Sequence, residues 1–217
     1  MQPPLPPALP GFEHIRRTWS DSQGFYTARI LPGEYYVTKG DEAVSTTLGS
    51  CIAACIRDRV SGIGGMNHFM LPASGGAESD SWKAAGLGTG TRYGNFAMEH
   101  LINGILRNGG LRQNLEVKIF GGGRILANMT DVGMRNIVFV REYLKTEKLR
   151  LVGEDVGDAF PRMTLYFPAT GKARVKRLRS LHNNMISSQE NSYIERDQEA
   201  SNGRYRTVLA QILMPCD

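Results

Sequence analysis

TTLGSCIAACIRDRVSGIGGMNHFMLP, residues 46–72, sets two short apolar runs on either side of a polar turn. Runs of this length, bounded by Asp58, Ser61 and glycine, predict a β-hairpin with strands over 51–57 and 62–71. With the turn at Asp58 to Ser61, Arg57 faces Gly62, Cys55 faces Gly64 and Cys51 faces His68. Directly opposed residues share a face with Cβ atoms about 4.5–5.5 Å apart, so this register lets a thiol and an imidazole touch. A slip of one residue would send them to opposite faces of the sheet.

A thiolate nucleophile needs a base within hydrogen-bond reach, a third group to fix the imidazole, and amide donors for the oxyanion. Gly49 and Ser50, just before Cys51, allow close approach of a substrate and place backbone amides beside the thiol. Ser45, Thr46 and Thr47 supply hydroxyls for the third role. The alternative is that Cys51 and His68 simply fill a core, since cysteine is among the most buried residue types. Spacing alone leaves both readings open. It argues against zinc, because Cys51 and Cys55, four strand residues apart, lie roughly 13 Å from each other. Were the segment a helix instead, the two sulfurs would share a face and a metal reading would regain weight; on the strand reading no metal and no cofactor is expected.

Working outward, EYYVTKG and EAVSTTLG, from Glu34 on, are rich in valine, threonine and tyrosine and predict strands. Residues 73–90, rich in glycine, serine and alanine, read as a loop. TRYGNFAMEHLINGILR, residues 91–107, predicts a helix with Phe96, Leu101, Ile102 and Ile105 on one face, stopped by Gly109 and Gly110. LEVKIF, residues 115–120, is a strand that runs into Gly121, Gly122 and Gly123, a tight turn near the candidate site. A second helix spans 131–146, capped by Asp131, with Met134, Ile137, Val138 and Leu144 toward the core. LRLVGEDVG, MTLYFPATG and KARVKRL follow as strands. The fold class is therefore α+β: a mixed, largely antiparallel sheet core flanked by two main helices in a single domain. The expected organisation is a flexible proline-rich extension over 1–30, a Cys-His domain over 31–180 and a polar, mobile tail over 181–217.

At 217 residues the chain suits one domain with extensions. Three cysteines, an odd number without a framework spacing, place it in a reducing compartment, and no apolar run reaches membrane-spanning length. MQPPLPPALPGFEH lacks the basic region and apolar core of a signal peptide, so a cytoplasmic location is expected. The net charge of +5 is scattered, which disfavours nucleic acid. Its densest patch, Lys172, Arg174, Lys176, Arg177 and Arg179, reads as the solvent face of a strand. Gly86 to Gly90 follows no strand and lacks a nucleotide fingerprint. His100 sits mid-helix, where a structural or solvent role is expected, His14 and His182 fall in the tails, and Asn67 faces away from His68.

LGSCIAACIRD, GGMNHFMLP, RYGNFAMEHLI, KIFGGG and YFPATGKARVKRL, in that order, resemble the chemoreceptor glutamine deamidases of bacterial chemotaxis, the CheD family. The resemblance covers about residues 34–180. It implies a cytoplasmic enzyme that hydrolyses particular glutamine side chains of methyl-accepting chemoreceptors to glutamate, by a Cys-His-Thr triad without metal. The family's cysteine falls on Cys51, its histidine on His68 and its threonine on Ser45, where this chain departs from the pattern. Thr47 shares a strand face with Ser45 and is the alternative third member, while Thr46 points the other way. The resemblance also implies chemoreceptor cytoplasmic domains as partners, and a CheC-type phosphatase as another, with contact to membranes only through receptors. The rivals are another thiol acyl-transfer activity and a docking module whose catalysis is vestigial.

Overall fold

The computed structural model describes residues 2–71, 89–124 and 132–178, with side chains of the first helix from Tyr93 onward. The segments 72–88, 125–131 and 179–217 lie outside the described residues, and with them the expected loop up to residue 88, the Asp131 cap, Gly86 to Gly88, Arg179 and the tail; the last two residues of that expected loop, Thr89 and Gly90, instead open the first helix. The elements run β1 Arg17–Ser20, β2 Phe25–Arg29, β3 Tyr35–Thr38, β4 Ala43–Leu48, β5 Ile52–Asp58, β6 Gly64–Asn67, α1 Thr89–Arg107, β7 Leu115–Gly121, α2 Val132–Thr146, β8 Arg150–Val156, β9 Arg162–Phe167 and β10 Lys172–Arg177.

The α+β class is as expected, but the strands divide into two five-stranded sheets, β1-β2-β4-β9-β10 and β3-β6-β5-β7-β8. Pairing is antiparallel except between β2 and β4 and between β7 and β8. Side-chain alternation gives the second sheet two different faces. One face meets the helices, as Asn67 shows by donating from Nδ2 to the Ala97 carbonyl at 3.0 Å. The other meets the first sheet, to which His68 is joined through Thr46. One buried core draws on both sheets and both helices, with Val44, Leu48, Ile52, Met98 and Val140 each at 0% exposure. Asn67 thus faces away from His68, as strand parity requires.

Three sequence expectations are corrected. The segment 2–30 is not a loose extension: β1 and β2 join the first sheet, and Phe12 and Ile15 are buried. The prolines are tied down by Tyr26 Oη donating to the Pro3 carbonyl and Arg17 Nη1 to the Pro6 carbonyl, both at 2.7 Å. β1 and β2 form a hairpin about the turn at Asp21 to Gly24, but with four and five residues and no run of alternating apolar side chains they carry little strand signal, and β2 finds its second partner, β4, only beyond β3. On α1, Met98, Leu101, Ile102 and Ile105 form the buried stripe, while Phe96 is 59% exposed against His100. Five residues from Leu101 is about 140° around a helix, too far to share its face. On α2, Ile137 and Leu144 are buried as expected, but Met134 and Val138 lie four apart on an exposed stripe. The basic strand β10 is the edge of its sheet, with Lys172, Arg174 and Lys176 exposed, as the solvent-face reading requires.

Candidate active site

The β5–β6 hairpin forms two residues away from the expected register. Cys55 pairs with Met66, Ile56 with Gly65 and Arg57 with Gly64, and a bridge from Ile52 to Phe69 carries the same register to the far end. The difference arises at the turn, where Asp58 donates its amide to the Ile63 carbonyl and accepts at its carbonyl from Gly62, making Arg59 to Gly62 the loop. The Asp58 carboxylate holds that loop by accepting from the Val60 and Ser61 amides. A shift of two preserves parity. Cys51 and His68 therefore remain on the same face, as diagonal neighbours at about 7 Å between Cβ atoms, within reach of an imidazole. Both are buried, at 0% and 2% exposure, on the face directed at the first sheet.

His68 is fixed at backbone and ring. Its amide donates to the Glu34 carbonyl at 2.9 Å and its carbonyl accepts from Gly33 at 2.8 Å. On the ring, Nδ1 lies 2.7 Å from Thr46 Oγ1. Thr46 Oγ1 also donates to the Ile30 carbonyl at 2.9 Å. A hydroxyl carries one proton, so with that proton on Ile30 the oxygen must accept from His68 Nδ1–H. The neutral ring then carries its lone pair at Nε2, a buried atom without a hydrogen-bond partner. Burial pushes the His68 pKa down to about 3, so the resting ring is neutral.

The hydroxyl on the imidazole is thus that of Thr46, not of Ser45 or Thr47. In β4, Val44, Thr46 and Leu48 point into the core while Ser45 and Thr47 sit half-buried on the opposite face. That the two share a face holds; it is the face turned from His68. The register of β4 against β9, with Thr46 opposite Thr164 and Leu48 opposite Arg162, sets this parity.

The backbone around Cys51 is held from three sides. Gly122 donates to the Cys51 carbonyl and Gly123 to the Gly49 carbonyl, each at 2.7 Å. Asn136 Nδ2 donates to the Ser50 carbonyl at 2.8 Å. Gly121 has φ of +108°, and a Cβ there would stand 2.1 Å from the Cys51 carbonyl oxygen, so the KIFGGG turn can pack on the cysteine only with glycine at its start. This turn is seated in turn by the segment after β8: Gly157 donates to the Gly121 carbonyl and Arg124 to that of Asp158. The buried Arg162 guanidinium donates to the Asp155 carboxylate and the Asp155 and Gly157 carbonyls, holding that segment. Sequence reading passed over Arg162 and Asn136, because nothing local marks a β9 arginine as holding the segment after β8 or a helical asparagine as reaching the cysteine's peptide.

Cys55, also buried, differs from Cys51 in setting. Burial pushes its thiol well above the usual range, against a smaller lowering by Lys118, which keeps it protonated and unreactive. Among the described residues no group of three or more His, Cys, Asp or Glu is placed to hold a metal ion.

The family profile described as CheD chemotactic sensory transduction matches residues 70–177, a span that excludes both Cys51 and His68. A protein of Halorhodospira halophila named "Probable chemoreceptor glutamine deamidase CheD" is 53% identical over 200 residues, covering 92% of this chain and 92% of its own. The chain belongs to the CheD family. Proteins of the same name from Hahella chejuensis and Methylobacillus flagellatus are 50% and 52% identical, over 89% and 78% of this chain and 90% and 82% of theirs. Membership in the CheD family accords with the motif resemblance and extends it toward both ends of the chain. No helix among the described residues is long and apolar enough to cross a membrane.

Proposed function

We propose that this chain is a protein-glutamine deamidase acting on chemoreceptor cytoplasmic domains, with Cys51 as nucleophile, His68 as general base and acid, and Thr46 as the residue that orients His68. The observation that carries the reading is the tautomer: Thr46 commits its proton to Ile30, so His68 presents an unpartnered Nε2 on the face it shares with Cys51.

In this mechanism Nε2 takes the Cys51 proton as the thiolate attacks the carboxamide carbon of the glutamine. Backbone amides at Cys51 and its neighbour stabilise the oxyanion. The imidazolium returns its proton to the nitrogen, ammonia leaves, and a thioester remains. Water, deprotonated by the same Nε2, attacks the thioester, and the collapse releases glutamate and restores the thiol. Burial makes an isolated imidazolium costly, so the proton moves only when thiolate or oxyanion charge develops beside it. A CheC-type phosphatase belongs to the proposal as a second partner.

The test is mass spectrometry of a purified receptor cytoplasmic fragment incubated with the protein. Conversion of defined glutamines to glutamate is expected. Binding without conversion would instead favour a docking module, and amine incorporation or chain cleavage another thiol acyl-transfer activity.

The third member has its own test. Thr46→Val leaves Nδ1–H buried without an acceptor and frees the ring to take the other tautomer, so kcat/KM for deamidation is expected to fall by about 100-fold. Thr46→Ser retains the hydroxyl and most of the rate. Ser45→Ala and Thr47→Ala, on the far face, are expected to stay within about threefold of wild type. A large loss at Ser45 with none at Thr46 would overturn the assignment.

A further inference from the structure

Asn136 lies in the second turn of α2, at 0% exposure, on the helix face that meets the site. Asparagine is a poor residue for a helix interior, so its place there calls for a tertiary reason. Its side chain joins two segments that are distant in sequence. Nδ2 donates to the Ser50 carbonyl at 2.8 Å, and Oδ1 accepts from the Leu71 amide at 2.9 Å. The orientation of the carboxamide is dictated by its partners, since a carbonyl must receive a donor and an amide must find an acceptor.

The bond to Ser50 has a consequence at Cys51. The Ser50 carbonyl and the Cys51 N–H belong to one peptide unit, which is planar and trans, so the two point in opposite directions. Holding the carbonyl toward α2 aims the Cys51 N–H away from α2. The neighbouring planes are held as well, by Gly123 on the Gly49 carbonyl and by Gly122 on that of Cys51. The other half of the carboxamide secures Leu71, three residues after His68, so one side chain ties the nucleophile's peptide to the strand of the base.

We propose that Asn136 is a positioning residue that aims the Cys51 backbone N–H at the oxyanion formed when the thiolate attacks the substrate amide. The inference rests on the deamidase reading above. An amide donor already held in place stabilises developing charge without reorganising at the moment of reaction. Aspartate at this position keeps the acceptor for Leu71 but turns a carboxylate oxygen toward the Ser50 carbonyl, and releases the peptide plane.

The test compares two reactions of the same thiol. Alkylation by iodoacetamide displaces iodide at a saturated carbon and forms no oxyanion, whereas deamidation does. For Asn136→Asp and Asn136→Ala in the full chain, kcat for a receptor fragment is expected to fall on the order of 100-fold with KM little changed. The Cys51 alkylation rate is expected to stay within about threefold of wild type. If both rates fall together, Asn136 merely keeps the loop folded and the proposal is overturned; if kcat holds, it is overturned as well. Should the alanine variant fail to fold, the aspartate variant, equal in size and still bonded to Leu71, decides the matter. A wild-type protein that alkylates at Cys51 but converts no glutamine overturns the deamidase reading itself, and this inference with it.

Discussion

Cys51→Ala is expected to reduce receptor deamidation to the level of a protein-free control, a loss of about a million-fold where the assay can resolve it. Among the described residues no other group can replace the thiol. Cys55 shares the strand face but lies roughly 13 Å along it, and its burial keeps it protonated. Ser50 directs its hydroxyl to the Met70 sulfur at 3.5 Å. A serine at position 51 is not an adequate substitute either, because a hydroxyl's much higher pKa makes proton transfer to a buried imidazole prohibitive. Removing one sulfur from the core costs about 1 kcal/mol, so the variant is expected to fold and still bind the receptor fragment. Cys55→Ala is the companion control and should deamidate glutamines at close to the wild-type rate. Deamidation surviving in Cys51→Ala and lost in Cys55→Ala would overturn the mechanism.

His68→Gln is expected to lower kcat by about ten thousand-fold, because it removes both the base for Cys51 and the acid for the leaving ammonia. It is also expected to change the acid sensitivity of the fold. The folded His68 has a pKa near 3, below its ordinary value of 6.5. Above about pH 6.5 neither the folded nor the unfolded ring is protonated, and the ring contributes no pH dependence. As pH falls below that value the unfolded chain binds a proton that the folded chain refuses, so stability is lost between about 6.5 and 3. At pH 5 the loss amounts to about 2 kcal/mol. Urea unfolding at pH 7 and pH 5 should therefore show wild type losing about that much more stability than His68→Gln. Equal pH slopes for the two proteins would mean that His68 is not held neutral by the fold.

Much of this site is legible along the chain. The identities of Cys51 and His68 and the hairpin that joins them follow from two apolar runs about a polar turn. Their common face follows from strand parity, which a two-residue shift leaves intact. The glycines of KIFGGG were readable as a turn near the site, and the helix face of Leu101, Ile102 and Ile105 from its spacing. These are local regularities, set by the two-residue period of a strand and the 3.6-residue period of a helix.

Tertiary structure alone decided the rest. Ser45, Thr46 and Thr47 are three hydroxyls in a row on one strand, and nothing local says which parity faces inward. That is settled by β2 on one side and β9 on the other, whose pairings with β4 bring together residues far apart in the chain. The strands before residue 31 were invisible because they are short and lack an alternating apolar pattern, and their hairpin is completed by the pairing of β2 with β4. Asn136 meets the Cys51 loop, and Arg162 the segment after β8 that seats the glycine turn, only once α2 and β9 are packed in place. The sequence by itself determined which thiol and which imidazole could meet; the packing of two sheets determined which hydroxyl holds the imidazole, because a strand's alternation defines two faces and only its neighbours choose the inner one.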